Sequence, residues 1–340
     1  MITIKEIADI VGVSTTTVNN VIHGRTNQVS KATSTKIQKV LDEYNYVPNM
    51  TARNLAQNKS KIIGIALKVG KDKYENPIQD AYIGELIGSI EKSVREKGYF
   101  LMIYISDSIE EVLTYVATWN VDGLVMLGPP DESSDTISKS INKPVVFVDS
   151  YYGKTNKGDI HVRLEDRRGG YEMTKYLLES GHRKIAFVAD NCVGVDKERF
   201  LGYRKALEEY EVNFQEEDFF RLIPAKGILE KDLEKMYKYS KNYTALFCAS
   251  DYYAVTIMND LRDRGIKVPK DLSIVGFDNN IYSQLSRPAL TTVAQDISKK
   301  GEIAVKQLFK LIENRKIDSE VTTLPIEIIE RDTVSLLQAE

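Results

Sequence analysis

The sequence predicts an α/β chain in which a small all-α unit precedes two doubly wound parallel sheets. Three observations lead there. The first 46 of 340 residues hold three short, capped amphipathic segments. From Ile62 onward short apolar runs alternate with helix-period stretches, the arrangement of βαβ units around parallel sheets. Near Asp149 to Ile160 this alternation breaks in Tyr-, Gly- and Lys-rich sequence, and a second series then begins.

Thr3 with Glu6 three residues later makes a capping box, and Ile4, Ile7, Ala8 and Val11 share one helical face. The helix ends near Gly12, which can take the positive φ of a tight turn. Ser14 then caps a second helix whose apolar stripe is Val18, Val21 and Ile22. Its opposite face shows Thr15, Thr16, Asn19 and Asn20, which are small, uncharged and rich in donors and acceptors. Such a face suits entry into a DNA major groove, and two helices across a short turn make a helix-turn-helix. A third helix, capped by Ser30, carries Ile37, Val40, Leu41 and Tyr44. The periodicity alone fits any small helical domain equally well. A fourth segment, residues 46–56, has Pro48 and Asn49 as helix-start signals but spans only about two turns, too short to be stable by itself. It is either a linker helix or a conditional one, with Leu55 as a minor-groove wedge and Arg53 as an anchor.

At this point the chain resembles the lactose/galactose repressor family. The resemblance rests on Thr3-Ile4-Lys5-Glu6-Ile7-Ala8, Gly12-Val13-Ser14, Thr17-Val18, Val29-Ser30 and Tyr46-Val47-Pro48-Asn49 with Ala52-Arg53-Asn54-Leu55. It implies base reading by Thr15, Thr16 and Asn20, phosphate contacts from Thr3, Ser14, Thr17 and Asn19, and intercalation by Leu55. The loop His23 to Gln28 is a residue longer than the family pattern.

Charge agrees with a DNA-facing amino end. Residues 1–61 hold eight Lys/Arg against four Asp/Glu, and the remainder 38 against 45. So modest an excess implies weak phosphate attraction by one copy and useful affinity from two. The two cysteines, Cys192 and Cys248, lack metal-ligand spacing and read as buried free thiols in a reducing compartment. Lys5, Glu6 and Asp9 interrupt the amino end, so no signal peptide is expected, nor any membrane span. A cytoplasmic protein without metal or cofactor is the expectation.

Candidate strands of the large part are Ile62 to Val69, Tyr99 to Ile105, Val121 to Leu127, Pro144 to Val148, Lys184 to Ala189, Tyr243 to Cys248 and Leu272 to Phe277. Ile83, Leu86, Ile87, Ile90 and Val94, and likewise Tyr171, Thr174, Leu177 and Leu178, mark helices between them. Doubly wound sheets bind ligands beyond the carboxyl ends of their strands. The resemblance continues through Gly181-His182-Arg183-Lys184-Ile185-Ala186, Arg199-Phe200-Leu201-Gly202-Tyr203, Val275-Gly276-Phe277-Asp278, Leu290-Thr291-Thr292-Val293 and Ile328-Ile329-Glu330-Arg331-Asp332-Thr333. It implies a two-lobed periplasmic-binding-protein-like domain. The implied divisions are a helix-turn-helix domain at 1–46, a hinge at 47–60 and an effector domain at 61–340. Its first lobe would take about 61–158 and 292–321, and its second about 159–291 and 322–340. Seven residues after Thr333 are too few for a tetramerising heptad tail, so a homodimer on a roughly palindromic double-stranded operator is expected.

Position at strand ends supplies effector candidates. Arg199 matches a family arginine that holds effector oxygens, and Asp278 an acidic partner. A guanidinium fork donates in pairs and a carboxylate accepts in pairs, which suits vicinal hydroxyls of a sugar-like small molecule. The alternatives are a plain interlobe salt bridge for Arg199 and a turn cap for Asp278. Asp149 and Asp251 end other strands, Ser250 stands where the family has Asn, and Gln295 and the loop Lys73 to Pro77 complete the set. His161 stands alone, His182 fits a helix end where imidazole complements the dipole, and Trp119 reads as core. Arg167-Arg168-Gly169-Gly170 reads as a helix's first turn rather than a phosphate cradle. An exported sugar-binding protein would need a leader and no DNA arm. An enzyme would need a phosphate loop, nucleophile elbow or paired acid and base, none of which is evident. A protein coregulator docking on the acidic lobes remains open beside the metabolite.

Overall fold

The computed structural model describes residues 2–46, 59–68, 76–128, 137, 140–151 and 158–337. Contacts divide the chain into two compact units, residues 1–60 and 61–340. The predicted hinge helix, with Arg53 and Leu55, lies outside the described residues, as do residues 73–75 of the candidate loop.

In the first unit α1 (Ile4–Val11), α2 (Thr15–Ile22) and α3 (Lys31–Glu43) form where the caps place them. The Glu6 amide donates to Thr3 Oγ1 at 3.2 Å and the Thr3 amide to Glu6 Oε2 at 2.7 Å, closing the capping box. These bonds to Thr3 hold the Glu6 carboxyl below its usual range. Gly12 takes φ 73°, and Ser14 and Ser30 accept from the Thr17 and Thr33 amides. Ile7, Ala8, Val18, Val21, Ile37 and Leu41 make one buried core.

The second unit holds two six-stranded sheets. The first runs β11-β5-β4-β3-β1-β2 and is parallel throughout, built from β1 (Ile62–Lys68), β2 (Phe100–Ser106), β3 (Gly123–Leu127), β4 (Val145–Val148), β5 (Ile160–Leu164) and β11 (Val321–Leu324). The second runs β12-β10-β9-β8-β6-β7, from β6 (Ile185–Ala189), β7 (Phe219–Arg221), β8 (Ala245–Cys248), β9 (Ser273–Asp278), β10 (Thr291–Ala294) and β12 (Glu327–Ile329). Among the described residues only its β10–β12 pair is antiparallel. Buried strands flanked by helices explain the near-continuous Val/Ile/Leu runs read in the sequence. Between the strands come α4 (Ala81–Glu96), α5 (Ile109–Trp119), α6 (Asp166–Glu179), α7 (Gly194–Glu209), α8 (Leu229–Ser240), α9 (Asp251–Asp263), α10 (Ile281–Leu285) and α11 (Ile297–Ile312).

The expected lobe boundaries need correction. β5 was assigned to the second lobe, yet it pairs with β4 and β11 in the first sheet, so the chain leaves that sheet only after Leu164. β10, expected mostly in the first lobe, belongs to the second sheet, and the return follows Ala294. The break near Asp149 to Ile160 is a loop between neighbouring strands, and a loop of that composition cannot be told from a domain crossing by sequence.

Three side-chain readings also change. Trp119 is 53% exposed rather than core, because Asn120 takes the left-handed conformation immediately after it and ends the helix at the surface. Cys192 is exposed, three residues beyond β6, whereas Cys248 is buried within β8. His182 is fully buried, since Gly181 at φ 94° turns the chain into the core. Burial pushes the His182 imidazole below its usual range, so it is a neutral partner of Thr244 at 3.0 Å and not a charge on the helix dipole.

Candidate functional site

On α2 the residues predicted to meet DNA stand together. Thr15 and Thr16 are exposed, Asn19 and Asn20 half-buried, and Val18 between them points into the core. Ser14 and Thr17 share a hydroxyl hydrogen bond of 2.9 Å at the helix start, next to exposed amides that attract anions. Thr3 is exposed at the start of α1. The loop after α2 folds as a 3-10 turn, Thr26–Gln28, and returns Gln28 to α2, where its Oε1 accepts from Asn20 Nδ2 at 3.1 Å. Gln28 thus orients the Asn20 amide, a contact the sequence did not announce.

In the second unit the predicted groups meet in one buried polar chain. Arg199, 5% exposed on α7, donates from Nε to Asp166 Oδ1 at 2.8 Å and from Nη1 to the Ala249 carbonyl at 2.6 Å. Nη1 also lies 3.6 Å from Asp278 Oδ1, and the guanidinium covers the Phe277 ring at 3.6 Å. Asp278 Oδ1 accepts from Gln295 Nε2 at 2.7 Å, and Gln295 Oε1 accepts from Lys300 Nζ at 2.7 Å. Lys300 reaches both oxygens of Asp149, at 2.9 and 3.0 Å, and Tyr82 donates to Asp149 as well. At the other end Tyr151 donates to Asp166. Asp149 and Asp278 take positive φ, 53° and 118°, conformations L residues rarely adopt and that the network must hold. Burial drives the Asp278 carboxyl well up, against the opposing charge of Arg199. Burial also works against the Arg199 charge, but Asp166 and Asp278 outweigh it and raise its pKa. Beside Gln295 opens a cavity of about 840 Å³, lined among others by Glu85, Asn279, Gln284, Asp296 and Ser298. That volume suits a small molecule.

Two candidates do not join this chain. Asp251 turns back into the second sheet, where its oxygens accept from Thr292 Oγ1 at 2.5 Å and from the Asn280 amide at 2.9 Å. Ser250 is the N-cap of α9, bonded to the Tyr253 amide. Position at a strand end located both residues and said nothing of their direction. His161 stacks on Phe147 inside the first lobe, and burial, then Arg163, lowers it to about 4.

Asp251 supplies a pH prediction. Burial raises its carboxyl from 3.8 to about 7. A group raised in the folded state contributes stability below its unfolded pKa that is lost as pH rises through the folded one. Between about pH 4 and pH 7 the stability of the wild type relative to Asp251→Asn should therefore fall, by at most on the order of 4 kcal/mol. Denaturant unfolding of both proteins across that range measures it; a constant difference would show that Asp251 stays charged.

Tyr82, Tyr151, Asp166 and Lys300 were missed. Lys300 did leave a signal, because it lies in the stripe Ile297, Lys300, Gly301, Ala304, Val305, Leu308, where a helix should be apolar. The Arg167 to Gly170 stretch is the first turn of α6, with Arg167 paired to Glu198 and Arg168 to Glu165.

Comparison with known proteins agrees with both units. Residues 3–49 match the family model of bacterial regulatory proteins, lacI family, and residues 174–334 a periplasmic binding protein-like domain. The HTH-type transcriptional repressor PurR of Vibrio atlanticus is 31% identical over 353 residues, covering 99% of this chain and all of that protein. Its counterpart in Histophilus somni is 31% identical over 348 residues, with the same coverage. Among solved structures, the lac repressor dimer bound to operator and an anti-inducer superposes with TM-score 0.83 at 23% identity, over 98% of this chain and 99% of that one. A CelR–cellobiose complex gives 0.72 at 22% identity, over 98% and 100%. A regulator from Enterococcus faecium with bound ribose gives 0.69 at 23% identity, over 82% and 100%. The chain belongs to the lacI family of bacterial regulatory proteins and is a transcriptional regulator.

Proposed function

We propose that this regulator represses transcription as a cytoplasmic homodimer on a roughly palindromic DNA operator, switched by a small, sugar-like effector in the buried cleft. The observation that carries the DNA half is α2 itself: a capped helix whose outward face offers Thr15, Thr16 and Asn20 while Val18 and Val21 hold it to its core. Asn20 reads adenine with a bidentate amide, the threonines read less selectively, and Thr3, Ser14, Thr17 and Asn19 hold phosphates. Residues 47–60 act as the hinge, with Arg53 as anchor and Leu55 as wedge, joining a reading domain at 1–46 to an effector domain at 61–340. The neighbours captured with operator, cellobiose and ribose, and the relatives named as repressors, support the same assignment of binding without catalysis. In the cleft, Arg199, Asp278 and Gln295 exchange their mutual bonds for bonds to the effector, and Asp149 does so only where the effector displaces Lys300. A ligand shifts operator affinity only through differential affinity for two arrangements.

Selection of bound duplexes from a random pool tests the reading. The wild type should enrich one roughly palindromic sequence. Asn20→Ala should lose about 1–3 kcal/mol at one base position per half-site and keep non-specific binding. No enrichment from the pool would refute the proposal, and a uniform loss across all duplexes would move Asn20 to the phosphates. A thermal-shift screen against cytoplasmic metabolites then identifies the effector.

A further inference from the structure

Lys300 sits where a helix of this chain can hardly avoid placing it. Helix α11 lies so close on α4 that a Cβ at Gly301 would fall 1.8 Å from Ser89 Oγ, and that hydroxyl donates to the Ser298 carbonyl at 3.0 Å. The crossing fixes the roll of the first turn of α11 and sends the side chain just before Gly301 inward, leaving Lys300 only 1% exposed. Four oxygens surround its ammonium: Asp149 Oδ1 and Oδ2, Gln295 Oε1, and the Tyr82 hydroxyl at 3.3 Å. Asp149 and Tyr82 belong to the first-sheet side, whereas Gln295 carries the contact on to Asp278 at the end of β9.

We propose that Lys300 is a tethered cation that fills the first-lobe half of the cleft and draws the two lobes together without a bound small molecule. It is a positioning residue, and it sets specificity. A ligand gains Asp149 only by displacing an ammonium from a carboxylate, which a neutral hydroxyl does poorly and a ligand amine does well. A neutral polyol is accordingly confined to the Arg199–Asp278 half, and a ligand reaching across both halves carries a primary amine. This last consequence rests on the reading of the cleft as the effector site; the tethered-cation role does not.

The test uses the full chain and needs neither operator nor effector. Lys300→Ala removes the side-chain portion that propylammonium matches atom for atom. The variant should melt roughly 10 °C below the wild type. Millimolar propylammonium should restore much of that loss, equimolar 1-propanol should not, and neither should move the wild type. An unchanged melting point, or rescue by propanol equal to that by the amine, overturns the proposal, because packing and not charge would then fill the site. Should Lys300→Ala fail to fold, Gln295→Leu keeps the Lys300–Asp149 pair and cuts its link to Asp278. Hydrogen exchange of that variant should rise several-fold at the amides of residues 295–296 and of Ile326, where the chain passes between the sheets. Exchange there equal to wild type also overturns the proposal. Failure of the chain to select any duplex would refute the proposed function and leave these readouts standing.

Discussion

Arg199→Ala is expected to lower the unfolding free energy of the chain by about 3–5 kcal/mol, the usual cost of removing one partner from a buried ion pair. The guanidinium is 5% exposed and stands between Asp166, at 2.8 Å, and Asp278, at 3.6 Å, with the Ala249 carbonyl and the Phe277 ring completing its surroundings. Its loss leaves two carboxylates in a nearly dry interior and opens the face of an aromatic ring. Arg199→Lys keeps the charge but not the fork, so one ammonium must choose among Asp166, Asp278 and Ala249, and a smaller loss follows. The deficit should depend on pH. Arg199 opposes the burial-driven rise of the Asp278 carboxyl, so its removal lets that pKa climb further. A pKa raised above its unfolded value adds stability at acid pH that disappears as pH rises. The deficit of the alanine variant is therefore smaller near about pH 4 than at neutrality. Denaturant unfolding at several pH values checks both points. A loss below about 1 kcal/mol would place Arg199 among the dispensable surface pairs.

What the sequence disclosed depended on whether a signal was local. The capping residues of α1 and α2 and the apolar stripes between β-runs report on neighbours within one turn or one strand, so those elements were legible. β7 and β11 are only three or four residues long and half exposed, so they present no run of apolar residues to read. β5 alternates Ile160, Val162 and Leu164 with His161 and Arg163, the period of a strand, but it follows a loop whose composition reads as a domain crossing, so its pairing with β4 was hidden. The same limit governs the cleft. Asp278 and Asp149 were found by their place at strand ends, a rule of topology, and Arg199 by its place in the helix after a strand and its match to a family arginine. The lysine that neutralises Asp149 is 151 residues further along the chain, and only its intrusion into an apolar stripe betrays it. Asp251 obeys the strand-end rule and still faces the other way, since direction is decided by Thr292 and the Asn280 amide.

The glycines of α6 and α7 give the second large expected effect. A Cβ at Gly170 would lie 2.0 Å from the Arg199 carbonyl oxygen, and one at Gly202 would lie 2.0 Å from the carbonyl of Arg167. In both cases the obstacle is backbone, which no rotamer change can clear, so the two helices must separate. Gly170→Ala should accordingly destabilise the chain by about 3 kcal/mol, at or beyond the top of the usual overpacking range, despite the better helix propensity of alanine. Gly88→Ala is the control: among the described residues no atom outside its own helix lies within 4 Å of its Cβ, and a gain of about 0.5–1 kcal/mol is expected there. Separation of α6 from α7 would also pull the Arg199 backbone from Asp166, which starts α6. The Gly170→Ala loss should therefore shrink by about 0.5–3 kcal/mol in an Arg199→Ala background, as it does for residues that share one interaction. Additive losses in that double-mutant cycle would mean the helix crossing and the ion pair are independent, and that close packing is not what aims the guanidinium into the cleft.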